Sequence, residues 1–340
     1  MIPPLLDELL RAIGPTGFEE EAATIVRREA SHFAEVSGDV LGSTTAVVRG
    51  TAGGRLLAIA AHCDEVGAMV SHVDDDGLLS LHGLGDWAAA TLVDQRVEVR
   101  ARAGRVPGVV GVRTKKGKPA WSDLYVDIGV SSREEALASL ALGDPAVVVG
   151  PPVELAGGRI ASKSCDNRVC VYVALEVLRA LAADPPPWDV ALIATVQEEG
   201  TYAGAQTAAF RLAPDVALVL DVTWATDTPD AGPHAYGDHP LGSGPAILRA
   251  PVVHPELFDS LVAVARELAI PHTVEVAAKS LTDADATQVT GGGVASCVAS
   301  IPMRRYHAPS ETVQLSDVEH TRALVEAFAR ALEPGLDLSR

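Results

Sequence analysis

The chain is short of cysteine, of aromatic side chains, of positive charge and of long apolar runs. Its 340 residues include four cysteines, Cys63, Cys165, Cys170 and Cys297, with no Cys-x-x-Cys pair. That count excludes a disulfide framework and suits a reducing compartment, so a cytoplasmic location is expected. Aromatics make up 4% of the residues, too few for a base-stacking platform or an interfacial aromatic belt. Lys and Arg number 27 against 45 Asp and Glu, a formal net charge of −18. Such acidity argues against partners that bind by positive charge, namely nucleic acid and anionic membrane. No apolar stretch reaches bilayer length, and the opening MIPPLLDELLRAIG is cut by Asp7, Glu8 and Arg11 into a helical face unlike a signal peptide.

Apolar residues are plentiful, at 48%, enough for at least one large core. The runs 56–61, 190–196, 216–220 and 294–301 read as buried strands. Helical periodicity marks 18–33, with Thr16 and Glu19 as its opening, then 168–183, 255–268 and 317–332, the last opened by a capping box of Ser316 and Glu319. Nearly continuous apolar strands alternating with helices predict an α/β fold: a three-layer sandwich around a mostly parallel sheet. The segment 65–160 differs, with short alternating β-like pieces at 95–102, 109–113 and 124–128 and a helix near 133–142. It reads as a small β-rich domain inserted between 1–64 and 161–340. Asp74 to Gly77 reads as a hairpin turn. The 226–245 stretch is one long loop, where His234 and His239 are weighed as substrate contacts.

The predicted strands end in metal-binding side chains: His62 and Asp64, Glu198 and Glu199, Asp221, and His307. In open α/β sheets ligands gather outside the carboxyl ends of the strands, so these residues should converge, with Asp166 joining them where the chain re-enters a helix. Imidazoles and carboxylates without thiolates suit zinc, cobalt or manganese. A single catalytic zinc needs about three protein ligands; His62, Asp166, Glu199, Asp221 and His307 supply five, enough for two metals if Asp166 bridges. One imidazole and one carboxylate then fall to each metal, His62 with Asp221 and Glu199 with His307. Asp64 lies two residues from His62 on the same strand face, placed to receive the second imidazole N–H, while Cys63 points away. Glu198 and Glu199 cannot both face one site along a regular strand, so an irregular turn before Gly200 is expected, with one acid ligating and its neighbour free to move a proton.

Five segments together carry a resemblance. His62-Cys-Asp-Glu-Val-Gly67, Cys165-Asp-Asn-Arg-Val169, Val196-Gln-Glu-Glu-Gly200, Asp221-Val-Thr with Asp227-Thr-Pro229, and Ile301-Pro-Met-Arg-Arg-Tyr-His307-Ala-Pro-Ser-Glu311 resemble, in order and spacing, the motifs of the tetrahedral aminopeptidases. These are dinuclear metallo-aminopeptidases of the glutamyl, leucyl or lysyl type, some of which carry an endoglucanase label. The resemblance implies His62, Asp166, Glu199, Asp221 and His307 as ligands of two divalent ions, zinc or cobalt first and manganese next. It implies Glu198 as general base and acid, with Asp64 as the carboxylate behind His62. It further implies peptide substrates and a homo-oligomer of dimers, up to a tetrahedral dodecamer, built through the inserted domain. A related deacylase or carboxypeptidase, a metal-independent glycoside hydrolase and a non-catalytic assembly subunit are the alternatives.

Overall fold

The computed structural model describes residues 1–113, 117–229, 231 and 237–339. The four apolar runs form the centre of a large sheet, in the order Asp189–Thr195, Leu56–His62, Val216–Trp224, Ala295–Arg304, each parallel to its neighbours. Their residues are buried almost without interruption, as strands covered on both faces must be. The expected parallel character resides in these four strands, and the margins are antiparallel. Glu35–Gly38 and Thr44–Val48 extend one side, and Glu311–Gln314, Arg159–Ser162 and Val153–Leu155 the other. Ala246–Arg249 branches off antiparallel to Ala295–Arg304 and carries Thr273–Val276 parallel to itself.

Register brings the strand ends level. His62 stands beside Thr195, and Asp221 beside Ser300. The helix Cys165–Ala183 packs on the central strands and against the helices Pro4–Arg11 and Leu315–Ala331, whereas Ala203–Leu212 and Ala284–Thr287 pack on each other. Two predicted caps are absent. The first long helix runs Glu20–Ala30 with no side-chain cap; the Glu19 carboxylate instead accepts the N–H groups of Gly17 and Gln197. The last begins at Leu315, ahead of Ser316. Asp317 there accepts the N–H groups of Gly242 and Gly244 and so ties down the end of the long loop.

The strands Gly67–Val73, Leu79–Leu84, Arg96–Ala101, Gly104–Val112, Leu124–Asp127 and Pro145–Val148 close into a separate antiparallel barrel. Alternation supplies its interior: Val97, Val99, Val110, Leu124 and Val126 face a core distinct from that of the large sheet. Closure removes the exposed edges that so short a sheet would otherwise present. Asp74–Gly77 makes the expected hairpin turn, with the Gly77 N–H on the Asp74 carbonyl. The helix expected near 133–142 spans Arg133–Ser139, capped by the Ser132 hydroxyl. Among the described residues no helix is long and apolar enough to cross a membrane.

Where the chain leaves the sheet for the barrel stands Glu65, and beside its return at Gly150 stands Lys163, whose N–H donates to the Gly150 carbonyl. Both are buried, and Lys163 Nζ lies 2.9 Å from each Glu65 oxygen. The buried Arg168 guanidinium is 3.0 Å from the same carboxylate and donates to the carbonyls of Leu9, Ala12 and Cys63. One carboxylate and two cations thus pin both crossings to the N-terminal helix. Burial lowers Lys163 to a pKa of about 8, against the attraction of Glu65. An unfolded lysine holds its proton to about pH 10.4, so unfolding takes up a proton between these values and stability should rise with pH across that window. Below pH 8 this contribution is flat. Denaturant titrations of wild type and Lys163→Met from pH 7 to 10 check it: the difference should grow in favour of wild type above pH 8, and a difference independent of pH contradicts it.

Candidate metal centre

The carboxyl ends of the four central strands open onto one buried cluster. His62 closes its strand with its imidazole 2% exposed. Its Nε2 lies 3.1 Å from Asp166 Oδ1, 3.8 Å from Asp221 Oδ1 and 3.8 Å from Glu198 Oε2. On the other side, His307 Nε2 lies 3.4 Å from Asp166 Oδ2 and 3.2 Å from Glu199 Oε1. The two oxygens of Asp166 therefore face different imidazoles, each of which has a further carboxylate beside it. Within each of two sets, His62, Glu198 and Asp221, and His62, Asp166 and Glu199, the ligand atoms all lie within 4.8 Å of one another. All seven predicted residues are in one place, and Glu198 stands as close to His62 as Asp221 does.

Each residue is held by its own local device. Asp166 follows Ser164, whose φ of 53° is left-handed, and the Asp166 N–H donates to the buried Glu311 carboxylate at 3.0 Å. Glu198 and Glu199 lie on the expected irregular turn, between left-handed Gln197 and Tyr202. Gly204 lets that turn close, since a Cβ there would stand 2.3 Å from the Val196 carbonyl oxygen. Asp64 does more than expected. Its Oδ1 is 3.4 Å from His62 Nδ1, long for a hydrogen bond, while its two oxygens accept the N–H groups of Glu198 and Glu199 at 3.1 Å each. Cys63 points into the hydrophobic core, as predicted, and burial raises its thiol pKa.

His307 also has a left-handed φ, 48°, and its imidazole lies against Tyr306, which stacks on Trp224 at 4.8 Å. Its Nδ1 is 2.7 Å from the carbonyl oxygen of Asp86, in the segment that follows a barrel strand. A carbonyl only accepts, so Nδ1 carries a proton, and Nε2, facing Asp166 and Glu199, is the nitrogen whose lone pair becomes free for a metal once its own proton leaves. Left-handed non-glycine residues cost on the order of 1–3 kcal/mol each, and five of them, Ser164, Gln197, Tyr202, Arg305 and His307, bear or flank these side chains.

The electrostatics call for cations. Burial is the largest influence on Glu198, Glu199 and Asp221 and holds them above the ordinary carboxylate range. Asp166 is also buried, yet the two imidazoles hold it below that range. Burial would lower His307, but Asp166 and Glu199 keep it up at about 11. Both Asp166 oxygens, Glu199 Oε1 and His62 Nδ1 are buried without a hydrogen-bond partner. Carboxylates and imidazoles in a dry cluster, with lone pairs left over, are a ligand set for borderline divalent ions. The residues present fit a metal centre.

A cavity of about 510 Å³ opens on the cluster, lined by Glu198, Glu199 and His307 on one side and by Val222, Trp224, Leu248 and Leu281 among others. Asp86, Ala88 and Thr91 of the 65–160 segment complete its wall. His239 is buried elsewhere, its Nδ1 2.7 Å from the Thr273 hydroxyl. His234, the other loop histidine, lies outside the described residues. Three buried acids beside the cluster were absent from the sequence reading of the site: Glu19, Asp283 and Glu311. Asp283 accepts the Thr195 hydroxyl, and burial raises it to about 7. Neither Asp283 nor Glu311 follows a long apolar run, and the one sequence signal for Glu311 is its place at the end of the last quoted segment.

Comparison with known proteins agrees. The profile of the M42 glutamyl aminopeptidases matches residues 42–324. A lysyl aminopeptidase from Pyrococcus furiosus is 32% identical over 97% of this chain and 97% of its own. An aminopeptidase structure from the archaeon Desulfurococcus kamchatkensis superposes with a TM-score of 0.92 at 36% identity, covering 97% of this chain and 94% of that one. The TET1 peptidase of Pyrococcus horikoshii, whose structure is described as assembling into a tetrahedron or a large octahedral shell, gives 0.87 at 28% identity, covering 96% and 99%. The resemblance to the tetrahedral aminopeptidases is borne out: the chain belongs to the M42 glutamyl aminopeptidase family, a family of peptide-bond hydrolases.

Proposed function

We propose that this enzyme removes N-terminal residues from short peptides with two divalent cations, and that the observation carrying this reading is the Asp166 carboxylate, whose two oxygens face separate imidazoles. His62 and Asp221 would hold one cation and Glu199 and His307 the other, with Asp166 shared between the two. Zinc or cobalt suits this nitrogen and oxygen set best, and manganese also fits. Bound there, such ions supply Lewis acidity that polarises the scissile carbonyl and makes water acidic enough to attack near neutral pH. Glu198, on the cavity wall beside His62, takes the proton from that water and delivers it to the leaving amine. Asp64 keeps His62 oriented and holds the turn that aims Glu198.

The same reading extends to the architecture. The large sheet with its two helical groups is a three-layer sandwich of the zinc-peptidase kind, formed by residues 1–64 and 161–340. Residues 65–160 are an inserted domain that serves dimerisation and assembly, its barrel running from Gly67 to Val148 and the chain rejoining the margin of the large sheet at Val153–Leu155. The assemblies described for the TET1 peptidase support a homo-oligomer of this chain, dimers that build a tetrahedral dodecamer. Four buried free cysteines among the described residues support a cytoplasmic setting.

Two experiments test the chemistry. Aminoacyl p-nitroanilides should be cleaved, their N-acetylated forms should not, and a strong chelator should abolish turnover until zinc or cobalt is returned; turnover that survives chelation contradicts the reading. Glu198→Gln should lower kcat by about 10²–10⁴-fold with metal content unchanged, whereas near-full activity removes Glu198 from its role. For the bridge, Asp166→Asn should lower the metal bound per chain and shrink the stabilisation by added cation, about 2.7 kcal/mol at 100 times Kd for an intact site. Unaltered metal content in that variant argues against bridging.

A further inference from the structure

Glu19 has no part in the chemistry above, yet its buried carboxylate, only 5% exposed, reaches the turn that carries Glu198 and Glu199. Oε1 of Glu19 accepts the N–H of Gly17 at 2.6 Å and that of Gln197 at 3.0 Å. The next two N–H groups along the chain, of Glu198 and Glu199, go to Asp64. Three consecutive backbone donors thus converge on two buried carboxylates from distant parts of the sequence. Gln197 is held there with a φ of 59°, a conformation that a glutamine adopts at a cost. Burial, with the Asp64 charge nearby, raises Glu19 to about 7.

The segment bearing Glu19 is itself anchored. Pro15 bridges to Glu65, and the Thr16 N–H donates to the Glu65 carbonyl at 3.1 Å. Its other side lies against the turn, where a Cβ on Gly200 would meet Thr16 Oγ1 at 3.4 Å. Residues 14–19 therefore form a clasp between the start of the barrel and the turn 197–200.

We propose that Glu19 is a positioning residue: by holding the Gln197 N–H it fixes, together with Asp64, the direction in which the turn presents Glu198. The inference rests on the role assigned to Glu198 in the proposed function. Without the Glu19 carboxylate, Gln197 loses the bond that keeps it left-handed, while Asp64 still retains the next two N–H groups. The fold and the metal ligands survive, and the base is misdirected. A displacement of about 1 Å in a reacting group costs on the order of 10²-fold in rate.

The test compares wild type, Glu19→Ala, Glu19→Gln and Glu198→Gln on one aminoacyl p-nitroanilide series, with thermal melts and metal analysis alongside. Glu19→Ala should lose about 10- to 100-fold in kcat with KM and metal content unchanged. Glu19→Gln should recover most of it, because an amide oxygen still accepts both N–H groups. Should Glu19→Ala fail to fold, Glu19→Asp, one methylene too short to reach, carries the same expectation of a lowered kcat. A folded, metal-replete Glu19→Ala with wild-type kcat overturns the proposal, as does a Glu19→Gln no better than Glu19→Ala. An active Glu198→Gln, or a wild type without turnover, instead removes the reading of the site and this inference with it.

Discussion

The structure turns on the cost of burying negative charge. Asp64, Asp166, Glu198 and Asp221 are almost wholly buried, with the Glu199 side chain 5% exposed, and two imidazoles are the nearest positive partners they have. An isolated buried carboxylate is too costly to persist; it neutralises, pairs or binds a metal. Asp166 pairs on both sides at once. The remaining lone pairs have no donor, which is the condition two divalent ions would satisfy.

The rest of the molecule reads as support for that arrangement. Four parallel strands bring His62, Asp221 and the turns that carry the other ligands to one level, and the helix Cys165–Ala183 delivers Asp166 to the same place. The segment leaving the barrel strand Leu79–Leu84 contributes the Asp86 carbonyl that fixes the His307 tautomer. A Cβ on Gly85, were there one, would lie 3.4 Å from that of Glu199. The barrel is thus in contact with the site as well as with the cavity mouth, and the Glu65, Lys163 and Arg168 cluster holds the two crossings that place it there. Positioning of the cluster is therefore shared between the sheet and the barrel.

The sheet's centre was legible because fully buried parallel strands need continuous apolar runs, and the ligands were legible because they follow those runs. Asp166 was legible from its place before a helix. What the strand pattern could not show is how acids away from strand ends are used. Thr16 and Glu19 have the spacing of a helix opening, yet Glu19 finds a stronger demand in the Gln197 N–H across the molecule. Ser316 and Glu319 likewise have capping spacing, but the strand Glu311–Gln314 runs directly into the helix and leaves no room for a cap at Ser316. Glu311 follows His307 by four residues with no apolar run to announce it, and its role under Asp166 depends on the Asp166 N–H turning toward it. Local spacing reports local partners; the contacts of Glu19 and Glu311 are long-range.

The most direct measurement is an anomalous-scattering map of the enzyme crystallised with zinc or cobalt at saturating concentration. The account predicts two peaks, one on each side of the Asp166 carboxylate, the first beside His62 and Asp221 and the second beside Glu199 and His307. One peak alone, or two peaks ligated by other side chains, would contradict it.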